Sequence, residues 1–181
     1  MAVKALRQLI FDADWGDLDY LIIDTPPGTG DVHLSIVQSL PLTGAVVVTT
    51  PQSVALADAK KAIAMFKMEN INVPIIGLVE NMSWFTPLKH PEEKYYIFGK
   101  NGGEYLSKSL DISLLGKIPI IQSIRQSGDA GRPAVLQQET IIEKYYDDFC
   151  EELILNIDKR NTNIEKTKVV EVEYGEPKCS N

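Results

Sequence analysis

The chain has 181 residues, a formal net charge of -7 from 18 basic and 25 acidic side chains, and a hydrophobic fraction of 44%. These values fit one soluble globular domain with a substantial core, exclude disorder of the whole, and argue against a nucleic-acid surface, since no dense Lys/Arg cluster occurs. The apolar runs fall far short of the roughly 18 residues that cross a bilayer, and the first ten residues alternate charged and apolar types unlike a signal peptide, so no membrane partner and a cytoplasmic location are expected.

In chain order, Leu6, Leu9, Ile10 and Ala13 recur at helical spacing, and Gly16 is placed to end that helix in the left-handed region. Residues 20–23 are a continuous apolar run rich in β-branched types, which predicts a strand buried on both faces of a parallel sheet. Asp24 then falls at the carboxyl end, where open α/β sheets place their ligands. Pro26 and Pro27 forbid further ladder pairing, while Gly28 and Gly30 permit a positive φ and let backbone N–H groups face an anion. An acid there would hold Mg²⁺ directly or through water, and the glycine turn would sense a γ-phosphate. The plainer alternative is that Asp24 caps a turn and the glycines only redirect the chain. Asp31 is predicted to N-cap a helix carrying Leu34, Val37 and Leu40 on one face, stopped by Pro41. His33, in its first turn, fits solvent exposure or a packing hydrogen bond.

Residues 44–50 form the second predicted buried strand, closed by Pro51; Ser53 would then cap a helix to about Met68 that buries Leu56, Ile63 and Phe66 and turns Lys60 and Lys61 outward. A third strand spans 73–79 and ends on Glu80, Asn81 and Met82. The Asn81 amide offers a donor and an acceptor, the pair that reads the N6 and N7 edge of adenine, although a strand-end turn former would look the same. Residues 84–100 are an insertion bounded by Pro87 and Pro91 and dense in aromatics, read as a small satellite core or a partner surface. Within it, His90, Glu92 and Glu93 are either substitute metal ligands or part of a hydrated loop. Gly102 and Gly103 precede a helix to Leu110, and a fourth strand over 112–118 ends at Pro119. Arg125, in a loop or short helix over 123–133, would meet an acid, a phosphate or a surface partner. Thr140 to Glu143 reads as a capping box, followed by a core-facing stripe of Ile142, Tyr145, Tyr146, Phe149 and Leu153. Cys150 is expected to be a buried, inert thiol and Cys179 an incidental one. The expected division is a domain over 1–156 and a polar tail over 157–181, in which Val170, Val172 and Tyr174 alternate as a strand or simply belong to the tail.

The string Asp-Thr-Pro-Pro-Gly-Thr-Gly-Asp at 24–31 resembles the Walker B and switch II segment of the Mrp/ApbC family of MinD-like ATPases, which act as iron–sulfur cluster carriers. Further matches follow in order at 47–58, 77–82, 98–103 and 116–133, so the resemblance covers about residues 4–155. It implies an α/β fold with a mostly parallel sheet flanked by helices, the P-loop NTPase architecture of MinD-like proteins, here incomplete. By the same resemblance, Asp24 organises Mg²⁺ and Gly28 reports the γ-phosphate as the catalytic positions, while Gly30, Asp31, Asn81, Pro119 and Ile120 contact ATP. Gln52 and Asp58 would lie near the nucleotide and a dimer face, or make a turn hydrogen bond and a surface pair with Lys61. Implied partners are a second copy in the complete protein and apo iron–sulfur acceptor proteins, and the implied function is ATP-driven cluster assembly and transfer. The rival is a non-catalytic interaction scaffold; a MinD-like positioning ATPase at membranes is disfavoured by the lack of a basic amphipathic tail.

Two departures qualify the resemblance. The family's Cys-x-x-Cys pair is absent from the insertion, since no cysteine occurs between residues 1 and 149, so a thiolate-ligated cluster cannot be built there. No Gly-x-x-x-x-Gly-Lys-[Ser/Thr] loop occurs either. The chain is therefore expected to be the carboxyl-terminal part of a longer polypeptide or one half of a split one, and to be incompetent for ATP hydrolysis alone. In the family the missing strand lies between the Asp24 strand and the Val46 strand, so its loss would leave a vacant slot in the sheet.

Overall fold

The computed structural model describes residues 2–26, 28, 30–87, 90, 92–136 and 141–169. Three strands, β1 (Ala45–Thr49), β2 (Ile75–Phe85) and β3 (Leu114–Ile120), form one parallel sheet in that order. Parallel neighbours need crossover connections. Helix α3 (Ser53–Phe66) supplies the first and α4 (Gly102–Leu110) the second. Helices α1 (Ala2–Phe11) and α2 (Asp31–Ser39) precede the sheet, and α5 (Gln122–Asp129), a 3-10 turn at Ala134–Leu136 and the long α6 (Ile141–Asn163) follow it.

Register pairs Val47 with Leu78 and Val48 with Val79, so alternate positions serve opposite faces of the sheet. On one face Val47 and Leu78 pack with Ala59 and Ile63 of α3 and Leu106 of α4. On the other, Val79, Leu115 and Ile118 pack against Tyr145, Tyr146, Phe149 and Leu153, the stripe anticipated on α6. A third cluster, Val37, Met65, Ile71 and Val73, seats α2 against the end of α3 and the turn into β2. Each such aliphatic side chain contributes about 1.5–3 kcal/mol when fully buried.

The run at 20–23 does not form the expected strand. Residues 20–26 are irregular, and Tyr20, Leu21 and Ile22 are 52%, 46% and 84% exposed. A strand satisfies its backbone only through a neighbour, and the neighbour expected for this run is not part of the sheet. The sheet accordingly stops at β1, whose outer edge has no strand partner among the described residues. β1 is also not buried on both faces: Val47 and Thr49 are buried, but Val46 and Val48 are 37% and 60% exposed. They lie on the face covered by α6, and that helix packs over β3 and β2.

Several ends differ from expectation. α1 stops at Phe11, leaving Ala13 outside it, and Gly16, at φ +60°, lies beyond the helix end. Gly30 rather than Asp31 is the N-cap of α2, and Gln52 rather than Ser53 precedes α3, because in each case the residue with extended backbone comes one position earlier. β2 runs past Val79 to Phe85, and β3 continues through Pro119 to Ile120, which an edge strand tolerates because the missing N–H can face away from the ladder. The boundary expected at 156/157 falls inside α6. Beyond that helix, the buried Arg160 donates from Nη2 to the Glu165 carbonyl at 2.9 Å and the Thr167 hydroxyl at 2.6 Å, so 164–168 folds back on the helix end. Cys150 is exposed, not buried. Thr140, Val170, Val172, Tyr174 and Cys179 lie outside the described residues.

Candidate functional site

The carboxyl ends of the three strands define one rim of the sheet. The register sets Asn81 opposite Ile118 and Phe85 opposite Ile120, with Pro119 between those two positions on β3. Asn81 and Ile120 are half-buried and Pro119 is buried. Between Asn81 and Phe85 the β2–β3 register shifts, and Met82 adopts the left-handed region at φ +55°. Asn81 Oδ1 accepts from the Met82 amide at 2.9 Å, the local turn contact that was the plainer alternative for this residue.

The amino-terminal candidates stand on a different footing. Asp24 is exposed in the irregular segment. Gly28 has φ +103°, the region that favours glycine, and among the described residues nothing lies within 4 Å of where a Cβ would sit. Gly30 does not use a positive φ: at φ -83° and ψ -171° it is extended, and its carbonyl accepts from the His33 amide at 3.1 Å. Asp31 is the first helical residue, and its side chain lies outside the described set. His33 is 7% exposed, and its Nδ1 is buried without a hydrogen-bond partner among the described residues, unlike the solvated or hydrogen-bonded side chain expected.

Two other groups form surface pairs. Asp58 pairs with Lys61 at 3.2 Å on the exposed face of α3, and Arg125 with Asp129 at 2.5 Å on the exposed face of α5. Gln52 is an exposed residue preceding α3. In the insertion, Phe85 and Tyr95 form a two-way antiparallel bridge, with N–H to carbonyl distances of 2.8 and 2.9 Å. The aromatics then divide. Trp84 is buried edge-on to Tyr145, ring centroids 5.7 Å apart, with Lys94 Nζ 4.2 Å from its centroid, whereas Tyr95, Tyr96 and Ile97 are exposed. His90, Glu92 and Glu93 bring one ligand atom each to within 4.8 Å of one another, all exposed.

Sequence reasoning missed Glu80. It is 1% exposed, and its Oε2 accepts from the Gly103 amide at 2.6 Å, on the first turn of α4. A second tie to that turn comes from β3, where Lys117 Nζ donates to Glu104 at 2.6 Å and to Asn101 Oδ1 at 2.9 Å. With Lys108 also on Glu104, at 2.7 Å, that carboxyl is held down at about 2 by the Lys108 hydrogen bond first and the Lys117 hydrogen bond next. The one available signal was a charged residue closing an apolar strand in the same chain as a Gly-Gly pair at a helix start.

A three-stranded parallel sheet with crossover helices and candidate ligand groups near the carboxyl ends is an α/β arrangement, and the structures it matches are P-loop NTPases of the MinD-like fold. The chain is 34% identical to a nucleotide-binding protein from Archaeoglobus fulgidus solved in complex with ADP, with a TM-score of 0.66, over 82% of this chain and 56% of that one. It shares the fold of the cell division ATPase MinD of Pyrococcus furiosus at 23% identity, with a TM-score of 0.59, over 84% of this chain and 56% of that one. Residues 1–154 match the ParA family described as NUBPL iron-transfer P-loop NTPase, and the chain belongs to this family. A relative named iron-sulfur cluster carrier protein, from Synechocystis, is 49% identical over 133 residues, 74% of this chain and 37% of that protein. The chain spans about a third to a half of the length of the curated relatives it matches.

Proposed function

We propose that this chain supplies the base-reading and acid-bearing part of an ATP-dependent iron–sulfur cluster carrier. What supports the reading is the position of Asn81 on β2 beside the stretch of β3 that carries Pro119 and Ile120, in a chain similar over 133 residues to a protein named for that task. Asn81 would pair with the adenine edge while Pro119 and Ile120 pack on its ring. Asp24 fits Mg²⁺ as a hard oxygen ligand open to water, and Gly28 fits a γ-phosphate contact because among the described residues nothing lies within 4 Å of where its Cβ would sit. Gly30 and Asp31, at the start of α2, would border the phosphates. Hydrolysis would switch a homodimer between states of different affinity for its cargo, which passes to apo acceptor proteins in the cytoplasm. The cluster is cargo, and residues 84–100 offer it no thiolate. Residues 1–156 would form this functional part and 157–181 an appendage.

Since no glycine-rich loop in this chain cradles β- and γ-phosphates, calorimetry with Mg-ATP should find binding no tighter than about 1 mM, about -4 kcal/mol. Micromolar binding would show that the phosphate grip is not elsewhere. The decisive measurement joins this chain to the remaining length its relatives span and reconstitutes it anaerobically. Cluster absorbance that transfers to an apo acceptor, together with ATP turnover, is expected; absence of both replaces the carrier with an interaction scaffold, which the exposed Tyr95, Tyr96 and Ile97 would then serve.

A further inference from the structure

Glu80 and Asn81 are consecutive on β2, so their side chains leave opposite faces of the sheet. Glu80 pairs in register with Thr49 and shares the face of Leu78, on which α4 packs. There its carboxylate is almost fully buried and takes up the Gly103 amide. The opening turn of a helix has amides without intrahelical acceptors and the positive end of the helix dipole, so an acid is well matched to it. The fit is close: a Cβ on Gly103 would stand 2.9 Å from Glu80 Cβ, and a Cβ on Gly102 would stand 2.6 Å from the Pro51 carbonyl oxygen.

The other side of the same residue is fastened too. Ser83, also 1% exposed, donates its hydroxyl to the Glu80 carbonyl at 2.7 Å. Between these two attachments lie Asn81 and Met82, whose side-chain oxygen and amide are bonded to each other across the left-handed kink. A left-handed Met is strained on its own and persists where the surroundings hold it. The attachments also bracket residues 84–101, since Ser83 precedes that stretch and Gly103 closely follows it.

Resting on the nucleotide reading above, we propose that Glu80 is the positioning residue of the base site. Its buried carboxylate on Gly103, with the Ser83 hydroxyl on its carbonyl, holds the kink that fixes the Asn81 amide, so selection of adenine over guanine depends on a side chain that touches neither base.

The test uses the chain, ¹⁵N-labelled and joined to the remaining length its relatives span, with ATP and GTP as probes. In the unsubstituted protein, the Asn81 side-chain amide should shift at least about fivefold more with ATP than with GTP. Glu80→Ala should remove that difference and speed hydrogen exchange at the Met82 amide. Glu80→Gln, which keeps an acceptor for Gly103, should restore both, a rescue that general destabilisation would not give. Should Glu80→Ala fail to fold, Ser83→Ala gives the same comparison from the other attachment. ATP selectivity and Met82 exchange unchanged in Glu80→Ala, or in Ser83→Ala, overturn the proposal. If the unsubstituted chain responds to neither nucleotide, the nucleotide reading falls and with it the base-selection role of Glu80; Met82 exchange then reports separately whether Glu80 holds the kink.

Discussion

At Gly102 an added methyl group would stand 2.6 Å from the Pro51 carbonyl oxygen and 2.7 Å from Leu56 Cδ1. The first of these is backbone and cannot swing aside, so Gly102→Ala should cost about 1–3 kcal/mol, the usual penalty of overpacking. Urea unfolding should show the midpoint falling with an unchanged m-value. The pair Gly102–Gly103 was legible as a helix start, yet the sequence did not reveal that a buried acid 23 residues earlier in the chain would occupy it. Asn81, Pro119 and Ile120 were singled out because amide and apolar residues stood at predicted strand ends, and the register sets Asn81 opposite Ile118, the neighbour of Pro119 on β3. Cys150 was misread for a matter of angle. It follows Phe149, which faces the core, and one step of about 100° along a helix carries the thiol round to solvent.

Helix α4 is the element whose attachment depends on acidity. Glu104 lies between Lys108 and Lys117, and these lysines hold its carboxyl at about 2, below its ordinary 4.5. A carboxyl held down in the folded state contributes stability that is complete above about 4.5 and disappears as the pH falls towards 2. Thermal midpoints of the native chain should therefore fall over that window more steeply than those of Glu104→Gln. The gap between the two proteins should be widest at neutral pH, modest in size because the pairs are partly exposed, and should close as the pH falls towards 2. If their midpoints run parallel from pH 5 to pH 2, the ties contribute nothing. Strand legibility at this scale divides cleanly. Residues 45–49, 75–79 and 114–118 pair with one another and were read correctly as strands, whereas 20–23 has equal apolar character and remains irregular. Apolar content makes a segment ready for a sheet, and only a bonded neighbour admits it.

For the molecule as a whole, the sheet ends abruptly. β1 presents an unpaired edge together with the exposed side chains of Val46 and Val48, and such edges recruit further strands. Sedimentation velocity should detect self-association that rises with concentration and weakens in Val48→Lys; a single monomeric species at high concentration would contradict this. The fold class was legible because strand and helix patterns alternate from β1 through α3, β2 and α4 to β3. The setting of Asp24 was misread because residues 20–26 stay irregular and do not join the sheet that was expected to carry it.

Trp15, Leu18, Tyr20, Leu21 and Ile22, between 46% and 84% exposed, occupy an irregular connection ahead of α2. Chymotrypsin prefers such aromatic and leucyl sites in irregular chain, so brief digestion should cut here first and leave a resistant fragment that retains all three strands. The same bonds are those that proteolytic quality control would meet first, so the abundance of this chain in a cell would be set by whatever shields them.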